Sequence, residues 1–215
     1  MRPAFQLCYI TDRHALEPKP LLDTVRAAIA AGIDLVQIRE KDLATREWVE
    51  LVRAAVESAR GTATRLVVND RLDVALTLGA AGIHLGTQSL PARVVRECIA
   101  KHLAPDVASE FIVGVSCHSL DEALDAALAG ADYLVLGPVF ETPSKLAYGP
   151  PLGLEQLREV TARVKIPVLA LGGITLERIK ACLEAGATGI AGIRIFQNCA
   201  SLEKRAGELR GQFPP

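Results

Sequence analysis

The sequence lacks the features that mark several broad classes of protein. No uncharged apolar run approaches the length needed to span a bilayer. The formal net charge of −1 carries none of the basic excess that is typical of nucleic-acid-binding proteins. The five cysteines are odd in number and share no Cys-x-x-Cys spacing. We therefore expect reduced, mostly buried thiols, with neither disulfides nor a cysteine-bound metal.

Other absences concern organisation and location. No low-complexity segment or linker interrupts the 215 residues, which predicts a single domain over residues 1–215. The first residues run directly into an apolar stretch and leave no room for a signal peptide. We therefore expect a cytoplasmic protein with no nucleic-acid or membrane partner. The sequence leaves open whether the chain forms a homo-oligomer.

What the chain does contain is a short phrase repeated four times, at intervals of roughly 50 residues. Each copy begins Ala-Gly, follows a helix-like stretch and precedes an apolar run; the copies are Ala31–Asp34, Ala81–His84, Ala129–Asp132 and Ala185–Thr188. Glycine at this point suits a left-handed helix C-cap, after which the chain enters a buried strand. Four double strand–helix units predict an α/β fold, the (β/α)₈ TIM barrel, with its functional groups at the C-terminal strand ends.

The predicted strands are short, apolar and rich in β-branched residues, as strands covered by helices must be. They are 6–11, 35–39, 66–69, 82–86, 112–116, 133–137, 168–172 and 189–193. Amphipathic stretches predict helices at 21–31, 45–59, 120–129 and 176–185. Ser119 and Thr175 each precede acidic residues and are predicted to begin helices as hydroxyl caps.

Polar side chains follow the second strand. Alternation predicts that Gln37, Arg39 and Lys41 point the same way into the barrel mouth. An arginine fork and a lysine point charge are typical partners of a phosphate or pyrophosphate. The alternative is a solvated charge run in which Glu40 and Asp42 neutralise the two cations.

The next three strands end in further candidates. Asn69 and Asp70 end the third strand, where a carboxylate facing the cations would hold Mg²⁺ against a substrate phosphate. The alternative role of Asp70 is to cap the following helix. His84 and Ser116, on the fourth and fifth strands, are weaker signals, because a lone His or Ser at a strand end is more often a hydrogen-bonded structural residue.

The last three strands predict anion-binding loops. Thr142, Ser144 and Lys145 follow the sixth strand in a segment fixed by glycine and prolines. Gly172-Gly173 ends the seventh strand and Gly192 the eighth, where barrels commonly bind phosphate through backbone N–H groups. Glycines that serve tight packing alone are the alternative.

These motifs, taken together, resemble the family of thiamine phosphate synthases and their TenI-type relatives nearly end to end. The resemblance rests on Tyr9–Asp12, Gln37–Lys41, Asn69-Asp70, His84–Gly86, Gly114–Ser116, Gly130–Tyr133, Gly137–Phe140 with Lys145, and Gly172–Ile174. It implies an enzyme that joins 4-amino-5-hydroxymethyl-2-methylpyrimidine diphosphate to a thiazole phosphate, releasing pyrophosphate and forming thiamine phosphate. Both substrates are small molecules. Catalysis would consist of binding the departing diphosphate and shielding the cationic pyrimidine.

The resemblance also implies residue roles. The diphosphate would be held by Arg39, Lys41, Asn69 and Lys145, and Mg²⁺ by Asp70. Gln37 and Ser116 would contact the pyrimidine, with His84 nearby. The thiazole phosphate would be received by Thr142, Ser144, Gly173 and the backbone of Ile193-Arg194. Direct catalytic contributions are expected from Arg39, Lys41, Ser116 and Lys145.

Three positions depart from the family pattern. Ser89 stands where synthases carry a second metal-binding Asp, Arg194 where they carry a small Ser, and Pro138 where the tautomerase carries its catalytic His. We expect Ser89 to serve as the weaker second metal ligand and Arg194 to turn inward toward the phosphate. A TenI-type thiazole tautomerase, or a non-catalytic ligand-binding or regulatory relative, is the alternative function. Another phosphate-binding barrel, such as a phosphosugar isomerase, is a third reading.

Overall fold

The strands form a closed, all-parallel barrel in chain order. The computed structural model describes residues 5–16, 20–142 and 150–214, and the barrel order is β1 to β8, with β8 returning to β1. The strands are β1 Leu7–Ile10, β2 Leu35–Ile38, β3 Arg65–Asn69, β4 Gly82–Leu85, β5 Ile112–Cys117, β6 Tyr133–Leu136, β7 Val168–Leu171 and β8 Gly189–Gly192. Each lies within one residue of its predicted bounds. The predicted (β/α)₈ barrel is confirmed.

Helices cover the outside of the barrel. They are α1 Leu21–Ala30, α2 Thr45–Ala59, α3 Leu72–Leu78, α4 Ala92–His102, α5 Pro105–Glu110, α6 Leu120–Leu128, α7 Gly153–Arg163, α8 Leu176–Glu184, α9 Arg194–Gln197 and α10 Leu202–Arg210, with a 3₁₀ turn at Arg13–Ala15. The cap prediction is confirmed at Ser119, whose hydroxyl accepts from the Glu122 N–H. Thr175 occupies the N-cap position of α8 but makes no capping hydrogen bond.

The repeated Ala-Gly phrase is confirmed as a left-handed C-cap in three of its four copies. Gly32, Gly130 and Gly186 have φ values of +69°, +93° and +91°. The second copy is an exception, because the left-handed residue after α3 is Gly79 and Gly82 already belongs to β4. A Cβ on Gly82 would lie 2.1 Å from the Ile112 carbonyl oxygen, so close strand packing excludes a side chain there.

Two aspartates from the repeats fasten the N-terminal end of the barrel, which we call the bottom. Asp34 accepts the backbone N–H groups of Gln6 and Leu7 and a guanidinium N–H of Arg210. Arg210 also donates to the carbonyl of Gly32. One carboxylate thereby links the beginning of β1 to the last helix.

The same arrangement recurs half-way around the barrel. Asp132 accepts the Val113 N–H and pairs with Arg96, and Arg96 donates to the carbonyls of Gly130 and Phe111. In both copies the aspartate of the repeat receives the preceding strand, and an arginine bridges it to the glycine carbonyl. The two copies of the phrase that end in aspartate therefore encode the same structural link at the bottom of the barrel.

The remaining class predictions concern thiols and membranes. All five cysteines are free, and Cys8, Cys117 and Cys182 are buried. Burial raises the pKa of Cys117 to about 12 and that of Cys182 to about 11, so these thiols stay protonated. Within the described ranges, no helix combines the length and hydropathy required to cross a bilayer.

Candidate active site

The C-terminal strand ends, which we call the mouth, collect polar side chains from neighbouring strands. Gln37 comes from β2, Asn69 from β3, His84 from β4 and Ser116 from β5. Asn69 is paired in register with His84 across β3 and β4, so the two side chains lie at the same level. The structure therefore brings together four of the residues that the sequence singled out.

A directed chain of hydrogen bonds orders the first of these groups. The Asn69 amide N–H donates to a carboxylate oxygen of Asp70 at 2.6 Å, and the Gln37 amide N–H donates to the Asn69 oxygen at 2.9 Å. Because a carboxylate only accepts, Asp70 fixes the orientation of both amides. The Gln37 oxygen is consequently left buried, without a partner among the described residues. This oxygen can accept a hydrogen bond from a donor that enters the mouth.

Asp70 has an unusual backbone conformation. Its φ of +62° makes it a non-glycine residue in the left-handed region, where strain is typical of functional sites. The alternative role as a helix cap is not realised, since Arg71 is the N-cap of α3 and no side chain caps it. The side chain of Asp70 is instead exposed at the mouth.

Ser89 lies directly against Asp70. Its hydroxyl donates to a carboxylate oxygen of Asp70 and accepts the Gly86 N–H at 2.6 Å. The residue predicted as a second metal ligand is thus placed beside the first. Its hydrogen bonds orient the Asp70 carboxylate from the β4–α4 loop.

The cations that follow β2 differ in their surroundings. Arg39 is half-buried and Lys41 is exposed, and neither side chain forms a hydrogen bond or ion pair with a residue in the described ranges. The alternative in which Glu40 and Asp42 neutralise them is wrong. Arg13 takes both carboxylates, at 3.3 Å from Glu40 and 2.6 Å from Asp42.

Arg13 explains how Arg39 remains available. Its guanidinium binds Asp42 in a fork and holds the pKa of that carboxyl well below its usual range. Glu40 is 6% exposed and also accepts the backbone N–H of Arg13. The two acids that follow β2 are bound by Arg13 from the loop after β1, and neither forms an ion pair with Arg39.

His84, Ser116 and Tyr133 form a hydrogen-bonded line inside the barrel. His84 Nε2 lies 2.8 Å from the Ser116 hydroxyl and Nδ1 lies 2.9 Å from the Tyr133 hydroxyl. Burial lowers the pKa of His84 to about 4, with Arg39 adding to the shift and Asp70 opposing it. The imidazole is therefore neutral at physiological pH. His84 and Ser116 are both hydrogen-bonded within the protein, as expected for structural residues at strand ends.

The loops after β6 and β7 pack tightly on each other. A Cβ on Gly172 would lie 2.6 Å from Pro138, and one on Gly173 would lie 2.6 Å from the Glu141 carbonyl oxygen. Both glycines have positive φ. Arg178 stacks over the Phe140 ring at 4.7 Å and donates to the Gly173 carbonyl. Tight packing is therefore one reason for the paired glycines.

The backbone N–H groups of Val139 and Phe140 donate to the carbonyls of Leu171 and Gly172, whereas two other N–H groups near the ends of β7 and β8 are not used in this way. The described residues offer no hydrogen-bond acceptor to the backbone N–H of Gly173 or of Ile193. Arg194 is exposed at the beginning of α9 and makes no ion pair with a described acid, so the structure does not show it turned inward. Thr142 is half-buried after β6, while Ser144 and Lys145 lie outside the described residues.

Sequence reasoning missed two contributors to this site. Tyr133 opens an apolar strand and reads as ordinary core, and only its position in the barrel interior reveals its contact with His84. Arg13 lies in a short turn without periodicity. Its role could have been suspected from the Glu40 and Asp42 charges, which needed a partner.

Comparison with known proteins shows which family the chain is similar to. A model of the thiamine monophosphate synthase family matches residues 7–196. The chain belongs to this family. The thiamine-phosphate synthase of Moorella thermoacetica is 44% identical over 192 residues, covering 89% of this chain and 88% of that protein. The enzyme of the same name from Syntrophomonas wolfei is 39% identical over 206 residues, covering 96% and 95%.

A solved structure extends the likeness to three dimensions. Thiamine phosphate pyrophosphorylase from Pyrococcus furiosus is 36% identical, with a TM-score of 0.83, and the match covers 98% of this chain and 96% of that one. The resemblance inferred from the sequence motifs is confirmed. Ser89 and Arg194 are therefore differences from the family pattern in a chain that otherwise resembles thiamine-phosphate synthases.

Proposed function

We propose that this chain is a thiamine-phosphate synthase, an alkyl transferase that joins 4-amino-5-hydroxymethyl-2-methylpyrimidine diphosphate to a thiazole phosphate. The products are thiamine phosphate and pyrophosphate. The C–O bond between the pyrimidine methylene and the diphosphate breaks with its electron pair leaving on the diphosphate. The thiazole nitrogen then forms a bond to the cationic methylene carbon. The protein contributes binding, charge stabilisation and exclusion of water, without a side-chain nucleophile.

The buried oxygen of Gln37 carries this proposal. It is an acceptor whose orientation is fixed by Asn69 and Asp70, and an exocyclic amino group of a pyrimidine is a donor that would satisfy it. An unsatisfied buried acceptor costs about 1–3 kcal/mol. A ligand that donates to this atom recovers that free energy.

The diphosphate lies next to the pyrimidine in this scheme. Arg39 follows β2 directly, two residues beyond Gln37. Its guanidinium pairs with no carboxylate in the described part of the chain, and Arg13 binds those of Glu40 and Asp42. We assign Arg39, Lys41 and Asn69 to the diphosphate, with Lys145 from the loop after β6. Ser116 contacts the pyrimidine beside His84.

Asp70 and Ser89 would hold Mg²⁺ together with the diphosphate oxygens. Their carboxylate and hydroxyl oxygens are in contact at the mouth and are hard donors of the kind that Mg²⁺ prefers. Among the residues that the structure describes, no group of three His, Cys, Asp or Glu side chains could hold a metal, so substrate oxygens and water must complete the shell. The metal would neutralise charge on the departing diphosphate.

The thiazole phosphate is assigned to the loops after β6, β7 and β8. The N–H groups of Gly173 and Ile193 find no acceptor among the residues that the structure describes, and Arg194 supplies a nearby positive charge. Thr142 and Ser144 supply hydroxyls from the loop after β6. This arrangement resembles the phosphate site that many barrels build after strands seven and eight.

The direct test is product formation. Purified protein is mixed with Mg²⁺, the pyrimidine diphosphate and the thiazole phosphate, and thiamine phosphate and pyrophosphate are measured in equal amounts. The Gln37→Glu variant keeps the size of the side chain but replaces its amide by a carboxylate, which removes the N–H that donates to Asn69. We expect a loss of about 10²-fold in kcat/KM. Failure of the wild-type protein to release pyrophosphate would contradict the proposed function.

The metal assignment has its own test. In Ser89→Asp a second carboxylate joins Asp70, and we expect the Mg²⁺ concentration for half-maximal rate to fall by about tenfold. Thr87 lies on the same loop and is exposed, so Thr87→Asp is a matched control for added charge. An unchanged Mg²⁺ requirement in Ser89→Asp would show that position 89 does not face the metal.

A further inference from the structure

Tyr133 is a buried residue that the proposed reaction does not use. It begins β6, is fully buried and packs edge-on against Phe5, with ring centroids 5.7 Å apart. A Cβ on Gly114 would lie 2.1 Å from the Tyr133 ring. The glycine of β5 therefore makes room for this ring inside the barrel. The position of the hydroxyl against His84 is set by packing on several sides.

The hydrogens in this line can be assigned by counting donors and acceptors. A neutral imidazole has one N–H and one bare nitrogen. If Nδ1 of His84 carried the hydrogen, the Tyr133 hydroxyl would accept it and its own hydrogen would need another acceptor. No other acceptor among the described residues reaches this hydroxyl, and an unsatisfied donor in a dry site is costly.

The opposite arrangement satisfies every buried group. Tyr133 then donates to Nδ1, and Nε2–H donates to the Ser116 hydroxyl 2.8 Å away. Ser116 is half-buried at the mouth, so its hydroxyl hydrogen can reach a ligand or water. In this arrangement the hydroxyl hydrogen without an internal acceptor belongs to Ser116 at the mouth and not to Tyr133 in the barrel interior.

We propose that Tyr133 is a positioning residue that fixes the Nε2–H tautomer of His84 and thereby makes the Ser116 hydroxyl a hydrogen-bond donor toward the mouth. Together with the Gln37 oxygen, which is an acceptor, this gives the proposed pyrimidine subsite one acceptor and one donor. An aminopyrimidine offers the complementary pair, an amino N–H and a ring nitrogen. The part of the inference that concerns this ligand rests on the proposed function, whereas the tautomer does not.

The tautomer can be measured without substrate. In protein labelled with ¹⁵N-histidine, the two ring nitrogens of His84 are distinguished by their chemical shifts, and the resonance is assigned by its loss in His84→Gln. We expect Nε2 to be protonated and Nδ1 to be bare in the wild-type protein. In Tyr133→Phe, the single tautomer should give way to a mixture. A protonated Nδ1 in the wild-type protein would overturn the proposal.

Tyr9→Phe is the matched control. Tyr9 is equally buried on β1, but its hydroxyl accepts from Gln197 and does not reach His84. We expect Tyr9→Phe to leave the His84 tautomer and kcat/KM unchanged. If loss of a buried tyrosine hydroxyl changed only stability, Tyr133→Phe and Tyr9→Phe would give similar His84 spectra. A Tyr9→Phe spectrum with mixed His84 tautomers would count against the proposal.

Kinetics test whether Tyr133 acts through Ser116. We expect Tyr133→Phe to lower kcat/KM by roughly tenfold, as for the loss of one oriented hydrogen bond. In a Ser116→Ala background the same substitution should have almost no further effect, because the hydroxyl that it orients is gone. Equal losses in both backgrounds would overturn the proposal. Absence of activity in the wild-type protein would instead refute the proposed function, and the tautomer measurement would still decide the role of Tyr133.

Discussion

At the bottom of the barrel, Asp132 accepts from Val113 and pairs with Arg96, whereas at the mouth Asp70 is exposed and in a left-handed conformation. The bottom aspartate joins two strands and an arginine whose remaining N–H groups bind backbone carbonyls. The mouth aspartate orients two amides, and the last of them ends in an unsatisfied buried oxygen. The same residue type stabilises the fold at one end and prepares a binding site at the other.

The difference follows from which atoms are satisfied within the protein. At the bottom, the carboxylates of Asp34 and Asp132 and the arginines that bridge them find partners inside the chain. At the mouth, the Gln37 side-chain oxygen and one of the two carboxylate oxygens of Glu40 are buried without described partners. Each such atom costs about 1–3 kcal/mol. Substitutions at the mouth should therefore reduce activity and spare stability, and substitutions at the bottom should do the reverse.

Asp70→Asn should show the largest effect. Asparagine tolerates the left-handed conformation, so the fold is kept, but the anionic oxygen that would bind Mg²⁺ is lost. We expect kcat/KM to fall by about 10²–10³-fold with little change in the free energy of unfolding. Asp73→Asn, at an exposed aspartate that pairs with Arg71, is the control and should retain activity. An Asp70→Asn enzyme with wild-type kcat/KM would break the comparison.

Asp132→Ala tests the other end of the barrel. The substitution leaves the Val113 N–H without its acceptor and the half-buried Arg96 without its carboxylate. We expect urea denaturation to show a loss of about 3 kcal/mol in the free energy of unfolding, while KM for both substrates stays the same below the transition. Stability equal to wild type, or a selective rise in KM, would contradict the structural role.

Acid should weaken the barrel through His84. Its pKa is about 4 in the folded protein because it is buried, against about 6.5 when unfolded. Between these values the unfolded chain binds a proton that the folded chain does not, so stability falls as the pH falls from 6.5 to 4. We expect His84 to account for about 2–3 kcal/mol of this loss. Denaturation at several pH values should show a shallower decline for His84→Gln, and an equal decline would be evidence against a neutral, buried imidazole.

Arg194→Ser should have the smallest effect. Arg194 is exposed, so its contact with an incoming phosphate is screened, and we expect binding of the thiazole phosphate to weaken by about three- to tenfold. Titration calorimetry measures this change. Arg93→Ser, at an exposed arginine on α4, is the control for lost surface charge. Tighter binding by Arg194→Ser would show that the side chain obstructs the phosphate site.

The sequence predicted the barrel well because each strand is a short apolar run placed after a recognisable helix stop. It failed locally at Gly82, where strand packing against Ile112 had the same sequence appearance as a helix cap. Alternation correctly pointed Gln37 toward the mouth, where it bonds Asn69. It could not show that Lys41 is exposed, because the chain has left the strand by that point and side chains no longer alternate.

Hydrogen-bond partners were harder to predict than positions. The charges of Glu40 and Asp42 indicate that they need a partner, but no sequence pattern identifies it as Arg13. Arg13 and Asp42 are 29 residues apart and meet because β1 and β2 are neighbours. Tyr133 on β6 likewise reaches His84 on β4 through the barrel interior, past the intervening strand β5. Such contacts depend on which strands and loops lie side by side in the folded barrel, and linear sequence patterns do not show this.

The seam between the first and last strands has a consequence for synthesis on the ribosome. Leu7 pairs with Ile190, and Gln6 is held by Arg210. One edge of β1 pairs early with β2, but the partners of the other edge are made roughly 180 residues after it. At about 5–20 residues per second, the unpaired edge of β1 persists for roughly 10–40 seconds in the nascent chain. An open, apolar strand edge invites pairing with other chains. The newly made protein therefore carries an unprotected apolar strand edge until β8 has been made and pairs with it.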